Sequence, residues 1–302
     1  MMSVSSDHEF NYMPSNWSKR YGPMELLARY FKFSQDITSQ VRSSIEHERD
    51  VSYGPSEKTK YDVYGTNLPA DAPIFLFIHG GYWLEFSKDM SGYVVPNLVA
   101  HGIKVLVAGY DLCPSVTLTD IVQQIKTLTE KVLALAHASG SKCVWIGGHS
   151  AGAHLAASLL HDADWLDLMT RHGYRDLLQG LVLISGIYAL EPLLRTSVNE
   201  AVKLTSNEIN SFTFAPLEIS DDVDKKLEPV RNVKVIVTVG ECDSPIFIEE
   251  SRRYASRLTK LVDNVEFLLL RDNVDHFDIV ENLTRSEFLL SKILVANIKY
   301  TR

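Results

Sequence analysis

Residues 143–156 read Cys143-Val144-Trp145-Ile146-Gly147-Gly148-His149-Ser150-Ala151-Gly152-Ala153-His154-Leu155-Ala156. Residues 143–146 are apolar and predict a buried strand, and an Ala/Leu-rich helix begins near Ser150. Between them lies a G-x-S-x-G pattern, in which a serine stands on a sharp strand-to-helix turn. Small residues two places before and after the serine let strand and helix approach closely, so the hydroxyl projects outward. The pattern alone also fits a glycine-rich turn with an ordinary serine, and the context has to decide.

Short apolar runs and longer amphipathic runs alternate around this turn. Apolar runs of strand length lie at 61–64, 74–78, 104–109, 143–146, 181–185, 233–239 and 265–270. Helical patterns lie at 24–37, 87–100, 118–138, from about 150 onward, 247–261 and 281–298. This alternation predicts an α/β fold whose mostly parallel sheet is covered by helices on both faces. We expect a single domain over residues 1–302, in which 188–230 has no strand pattern and forms a small helical cap insertion.

The composition is that of an ordinary globular protein. Of 302 residues, 45% are hydrophobic and 23% are charged. The 30 basic and 38 acidic residues give a net charge of −8, which argues against nucleic acid or an anionic membrane as the main partner. The cysteines show no zinc or redox spacing, and there is no apolar signal segment or membrane-length apolar run. We therefore expect a soluble protein of the cytoplasm.

A nucleophilic serine needs a histidine as base and an acid that orients the histidine. A strand-to-helix turn that carries a nucleophilic serine is called a nucleophile elbow. In hydrolases with such an elbow, the acid and then the histidine follow the serine along the chain. Gly240-Glu241-Cys242-Asp243-Ser244-Pro245 follows the predicted strand 233–239. Because ligands bind beyond the carboxyl ends of such strands, we expect Asp243 to be the acid. Glu241 is the second candidate and ranks lower, because it directly follows the glycine and its side chain would point along the strand.

The candidate base follows the last predicted strand. His276 is the only histidine after residue 172, so it alone fits the required order. A loop histidine by itself is usually a surface residue, but its place after an elbow, an acid and a final strand favours catalysis. Asp275 and Asp278 lie close to it in sequence, and the chain order favours neither as the acid.

An oxyanion hole is expected after the strand that ends at residue 78. His79-Gly80-Gly81-Tyr82-Trp83 follows it, and two glycines let the backbone curl so that successive N–H groups point at one oxygen. Gly80, Gly81 and Tyr82 are thus candidate donors, together with the N–H of Ala151 after the nucleophile. The alternative is a Gly-Gly turn with no catalytic role. The presence of the glycine pair, the serine, the acid and the histidine in the expected order disfavours this alternative.

The other histidines near these motifs do not suggest a metal site. His149 and His154 flank the elbow, and His79 precedes the glycine pair. Their spacing matches no metal-binding pattern, so we expect them to pack or to form hydrogen bonds. The sequence therefore predicts no metal.

Several segments together resemble the kynurenine formamidase (arylformamidase) family of animals, α/β-hydrolases related to the hormone-sensitive-lipase-like esterases. The residues that carry the resemblance are His79-Gly80-Gly81-Tyr82-Trp83, the elbow with its helix, and Tyr12-Met13-Pro14-Ser15-Asn16-Trp17. The segments 240–245 and 275–277 are similar to the family's acid and histidine segments. The resemblance covers nearly the whole chain and is weakest across 188–230.

This resemblance implies hydrolysis of N-formyl-L-kynurenine to L-kynurenine and formate in tryptophan catabolism, with no cofactor. Tyr82, Trp83 and Trp17 are candidate walls for the aromatic leaving group, although each fits core packing equally well. A general carboxylesterase of the hormone-sensitive-lipase-like group is the main alternative, because it uses the same triad. A non-catalytic hydrolase-fold receptor is disfavoured, since such proteins usually lack a triad residue.

Overall fold

A central β-sheet organises the molecule, whose computed structural model describes residues 4–217 and 229–300. The described strands are β1 (His47–Ser52), β2 (Lys60–Tyr64), β3 (Ile74–Ile78), β4 (Lys104–Ala108), β5 (Val144–His149), β6 (Leu178–Ile184), β7 (Val230–Gly240) and β8 (Val262–Leu270). Their order across the sheet is β1-β2-β4-β3-β5-β6-β7-β8. The β1–β2 and β2–β4 pairs are antiparallel, and the other neighbouring pairs are parallel. The carboxyl ends of β3 to β8 therefore share one edge.

The helices fill the connections between these strands. They are α1 (Val4–Asn11), α2 (Pro23–Ser44), α3 (Val95–Ala100), α4 (Leu118–Ser139), α5 (Ala151–Ser158), α6 (Ala163–Arg171), α7 (Ser197–Val202), α8 (Ser206–Phe212), α9 (Pro245–Leu258), α10 (Asp278–Glu281) and α11 (Leu289–Tyr300). Short 3-10 helices lie at Pro14–Asn16, Lys88–Met90, Gly92–Val94, Leu159–His161, Arg175–Leu177, Glu191–Arg195 and Asn282–Thr284. In the parts of the chain that the structure describes, no helix has both the length and the apolar character that crossing a bilayer requires.

The core has two layers, one on each face of the sheet. Along β3, Leu76 packs into one layer, whereas Phe75 and Phe77 pack into the other, as the period of two in a strand requires. The first layer contains buried side chains of α4, α5, α6 and α9, and the second contains those of α2, α3, α10 and α11. A strand buried on both faces has to be apolar at every position, which explains its uninterrupted hydrophobic run.

The predicted α/β fold is confirmed, with differences in detail. The edge strand β1 was not expected, because its residues (His-Glu-Arg-Asp-Val-Ser) are mostly polar and mostly exposed. The helix expected over 87–100 is two 3-10 turns followed by the short α3. The predicted cap, 188–230, holds α7 and α8 and lies partly outside the described residues, since 218–228 are not described. Its designation as a cap, like the single domain over 1–302, stays a prediction.

Candidate active site

The turn between β5 and α5 places Ser150 in a strained backbone conformation. Its φ is 55° and its ψ is −121°, outside the helical and extended regions. A Cβ atom on Gly148 would lie 2.1 Å from the carbonyl oxygen of Gly152, and one on Gly152 would lie 2.1 Å from that of Ile78. The two glycines are therefore needed for close contact of strand and helix. This is the geometry that the G-x-S-x-G pattern predicts.

Two further loops bring a carboxylate and an imidazole together. Asp243 lies between β7 and α9, and His276 lies between β8 and α10. Nδ1 of His276 donates to Oδ2 of Asp243 at 2.8 Å, and both side chains are buried. Because the carboxylate accepts from Nδ1, a neutral imidazole in this position carries its lone pair on the other ring nitrogen, Nε2. An imidazole in this tautomer can accept a proton from a hydroxyl group.

Glu241, the second candidate for the acid, has other partners. Its Oε1 accepts from the backbone N–H of Asn273 at 2.8 Å, and its Oε2 pairs with Nε of Arg271 at 2.9 Å. The hydrogen bond from Asn273 lowers the pKa of this carboxyl. Glu241 thus braces the turn after β8, and the structure brings Asp243 rather than Glu241 to His276.

The glycine pair after β3 packs directly against the elbow. A Cβ atom on Gly80 would lie 2.9 Å from Cβ of Ser150, so a larger residue has no room there. Gly81, Tyr82 and Trp83 follow with φ values of 102°, 50° and 60°. The carbonyl oxygen of Gly81 accepts from the N–H of Leu84 at 2.8 Å and from the N–H of Glu85 at 3.0 Å, which closes a tight loop. Ala151 begins α5, so its N–H lies at the open end of a helix, as oxyanion donors often do.

His149 connects the elbow to the histidine loop. Its Nε2 donates to the carbonyl oxygen of His276 at 2.8 Å. Burial lowers the pKa of His149 well below its ordinary value, so this ring is neutral. The sequence predicted that His149 packs or forms a hydrogen bond. The structure shows a hydrogen bond to the backbone of His276, the candidate base.

The remaining histidines near the site are buried and structural. Burial lowers the pKa of His79 and of His154 to about 4. His79 stacks on Tyr110 at 4.2 Å between ring centroids, and Nε2 of His154 donates to the carbonyl oxygen of Phe212. Within residues 4–217 and 229–300, no group of His, Cys, Asp or Glu side chains is arranged to hold a metal ion.

A cavity of about 310 Å³ opens onto these residues. Ser150 and His276 line it, and so do four aromatic side chains: Tyr30, Tyr82, Phe86 and Phe277. The Tyr30 ring meets the Phe86 ring edge-on at 5.6 Å and the Phe277 ring at 5.1 Å. The size is within the range of small-molecule sites, and edge-to-face aromatic walls suit a flat apolar ligand.

Two of the three expected aromatic walls are not at this cavity. Trp83 is fully buried and meets His154 edge-on at 5.1 Å, whereas Trp17 packs against Phe10 at 5.5 Å. Neither is among the residues that line the cavity, whereas Tyr82 is, and contact of any of the three with substrate stays a prediction. In the left-handed turn, Tyr82 faces the cavity and Trp83 turns into the core.

Sequence reasoning missed the residues that supply most of the aromatic wall. Tyr30 lies within the helical pattern 24–37, which does not distinguish a core side chain from a cavity wall. Phe86 lies in a loop and has a φ of 67°, with no local pattern to mark it. Only Phe277 stood beside a motif, directly after His276.

Comparison with known proteins agrees with this geometry. A family model described as alpha/beta hydrolase fold matches residues 75–278. The kynurenine formamidase of Danio rerio is 34% identical over 98% of this chain and 97% of its own length. That of Drosophila melanogaster is 30% identical over 95% of this chain and 96% of its own. A solved structure from Silicibacter sp. TM1040 superposes with a TM-score of 0.71 at 26% identity, covering 96% of this chain and 99% of that one. The resemblance drawn from the sequence is confirmed, and the chain belongs to the kynurenine formamidase family of the α/β hydrolases.

Proposed function

We propose that this protein is a serine hydrolase that cleaves the formamide bond of N-formyl-L-kynurenine to give L-kynurenine and formate. The observation that carries the proposal is full-length similarity to kynurenine formamidases, joined to a cavity where Ser150 and the Asp243–His276 pair meet aromatic walls. The nucleophile, base and acid are proposed as Ser150, His276 and Asp243.

In the first half of the reaction, Oγ of Ser150 attacks the formyl carbon while Nε2 of His276 accepts the hydroxyl proton. Asp243 holds the imidazole in the required tautomer and stabilises the imidazolium. The N–H groups of the Gly80–Tyr82 loop and of Ala151 are the proposed donors to the oxyanion. Removing one such donor typically lowers the rate by ~10²–10³-fold.

The first half ends when His276 gives this proton to the aryl amine nitrogen, which leaves as L-kynurenine while the formyl group stays on Oγ of Ser150. In the second half, water gives a proton to the same imidazole and attacks the formyl ester; His276 then returns that proton to Oγ of Ser150 as formate leaves. An aryl amine leaves more readily than an alkyl amine, so the machinery of an esterase suffices. The ring cluster of Tyr30, Phe86 and Phe277 supplies the apolar surface for the aryl group.

The charge at the cavity mouth supports one orientation of the substrate. Glu85 is the only Asp, Glu, Lys or Arg side chain among the described residues that line the cavity, and it is exposed. N-formylkynurenine carries an ammonium and a carboxylate on its amino-acid end. We infer that the ammonium pairs with Glu85 while the carboxylate stays in water.

The test is a series of N-acyl kynurenines, assayed beside matched p-nitrophenyl esters with the purified protein. We expect kcat/KM to be highest for N-formylkynurenine and to fall when formyl is lengthened to acetyl or butyryl. A methylene that does not fit a pocket costs ~1–3 kcal/mol, or about 10–200-fold. No hydrolysis of N-formylkynurenine, or a preference that rises with acyl length, would leave a general carboxylesterase instead. The cytoplasmic location expected from the sequence stays a prediction.

A further inference from the structure

Residues 11–20, here called the N-terminal strap, bond to the loops that carry the proposed site. The carbonyl oxygen of Asn11 accepts from Oγ of Ser244, in the loop of the proposed acid, at 2.5 Å. The carbonyl oxygen of Tyr12 accepts from the hydroxyl of Tyr82, in the oxyanion loop, also at 2.5 Å. Of the three loops around the elbow, which are the acid, oxyanion and histidine loops, two are thus held by main-chain acceptors of this segment.

The end of the strap reaches the third loop through Arg20. Its Nε donates to Oδ2 of Asp275 at 2.8 Å, and its Nη2 donates to Oδ1 at 3.0 Å. The hydroxyl of Ser18 also donates to Oδ2, at 2.6 Å. A planar guanidinium fork on a carboxylate fixes the direction of both groups, which a single ammonium does not. Asp275 is fully buried and directly precedes His276.

The same carboxylate shapes the backbone on the far side of the histidine. Oδ1 of Asp275 accepts from the N–H of Phe277 at 2.8 Å and from the N–H of Asp278 at 2.9 Å. The side chain of Asp275 therefore closes a turn of the backbone, and His276 lies within that turn. If the carboxylate moves, the backbone that carries the imidazole moves with it.

Charge balance in this turn depends on Arg20. Burial raises the pKa of Asp275, but the hydrogen bonds from Arg20 and Ser18 outweigh it and hold the pKa below its ordinary value. Burial and the charge of Asp275 raise the pKa of Asp278 to about 7. Arg20 also pairs with Glu281 at 2.6 Å and lies 3.6 Å from Asp278. Without the guanidinium, a buried carboxylate would stand uncompensated beside other acids, and such a group relaxes by moving or by taking up a proton.

We propose that Arg20 is a positioning residue for the reaction: its fork on Asp275 holds the turn in which His276 meets Asp243. Arg20 does not line the cavity of Ser150, so it acts through the histidine loop and not through substrate contact. The inference rests on the proposed roles of Ser150 and His276, but not on the identity of the substrate.

The experiment compares Arg20→Gln, Arg20→Lys and Arg29→Gln with the unmodified protein. Arg29 is the matched control, because it is an arginine in an exposed ion pair with Glu25 on α2. Steady-state kcat and KM are measured for p-nitrophenyl acetate, which needs only the triad, and for N-formylkynurenine. Thermal unfolding is recorded for each variant, so that rates refer to folded protein.

We expect Arg20→Gln to lower kcat about 10- to 100-fold with KM within about threefold, because a small misplacement of a catalytic group slows the chemical step. Arg20→Lys keeps the charge without the fork and should restore part of kcat, to about 3- to 10-fold below the unmodified protein. Arg29→Gln should leave both constants unchanged. If Arg20→Gln does not fold, the kcat of Arg20→Lys carries the same test.

Unchanged kcat in folded Arg20→Gln, or in Arg20→Lys where the first does not fold, would overturn the proposal. A rise in KM that accounts for the whole effect would also overturn it, since the strap would then shape the cavity rather than hold His276. A protein that turns over the ester but not N-formylkynurenine would refute the proposed substrate and leave the role of Arg20 measurable on the ester.

Discussion

Asp243 and His276 lie 33 positions apart in the chain and meet at 2.8 Å between Oδ2 and Nδ1. The contact joins the loop after β7 to the loop after β8, which are neighbouring parallel strands. Their carboxyl ends share one sheet edge, so side chains of both loops reach the same point. A second hydrogen bond, from the main-chain N–H of Ser244 to Oδ1 at 2.7 Å, fixes the carboxylate.

Asp243→Asn should lower kcat severely while Glu241→Gln changes it less than about threefold. An amide can donate to Nδ1 and so stabilise the wrong imidazole tautomer, a change that costs about 10⁴-fold in a serine protease triad. Glu241→Gln removes only the brace on the turn after β8. Steady-state kcat with p-nitrophenyl acetate measures both. If the glutamate variant were the inactive one, the two residues would exchange roles.

Ser150→Ala should abolish turnover and leave the fold intact. The alanine meets the same positive φ that the serine adopts, so the elbow does not change shape. Removing a nucleophile of this kind lowers kcat by roughly 10⁴-fold or more. The measurement is residual kcat, with circular dichroism and thermal unfolding to check the fold. More than a few per cent of the original activity would rule out Ser150 as the nucleophile.

Glu85→Gln should raise KM for N-formylkynurenine and leave p-nitrophenyl acetate unaffected. An exposed charge pair is worth about 0.2–1 kcal/mol, which corresponds to an increase of up to roughly fivefold. Glu85→Lys should weaken binding further, because it repels the substrate ammonium. N-formylaniline, which lacks the amino-acid end, is the matched substrate control. Equal changes for both formamides would show that Glu85 does not contact the ammonium.

Glu250→Gln should change how stability depends on pH. Glu250 is buried, accepts from the N–H groups of Tyr188 and Ala189, and its pKa is raised by burial from 4.5 to about 7. The folded protein therefore binds a proton that the unfolded chain has released between these values. The stability that this group contributes is complete below about pH 4.5 and is lost as the pH rises through about 7.

The glutamine keeps an oxygen acceptor for both N–H groups but cannot ionise. Between about pH 5 and pH 8, the free energy of unfolding of Glu250→Gln should gain roughly 2–3 kcal/mol relative to the unmodified protein. Urea denaturation at both pH values measures it, with the exposed neighbour Glu249→Gln as control. A difference between the two proteins that does not vary with pH would show that Glu250 does not titrate in this range.

The α/β architecture could be predicted from the sequence because its signals are local. A strand buried on both faces has to be apolar throughout, and β3 satisfies that within five residues. The elbow is equally local, since only small residues at 148 and 152 let β5 and α5 approach. The order of serine, acid and histidine could also be predicted, because each of them follows a strand with a local apolar pattern.

The polar edge strand β1 could not be predicted, because its residues lack the hydrophobic pattern that usually marks a strand. Its backbone pairing with β2 holds it in the sheet instead. The aromatic wall was not predictable either. Tyr30 on α2 and Phe86 in a loop converge only once the helix packs on the sheet.

The layered fold, the elbow at Ser150 and the two candidate acids could be predicted from the sequence, because each is encoded by the spacing of neighbouring residues. The three-dimensional packing was needed to show that Asp243, and not Glu241, contacts His276, and that Trp83 lies in the core. It also joined Arg20 to Asp275 across 255 positions of chain. The physical reason is that hydrophobic periodicity fixes which face of an element is buried, whereas contacts between loops depend on where the packed elements end.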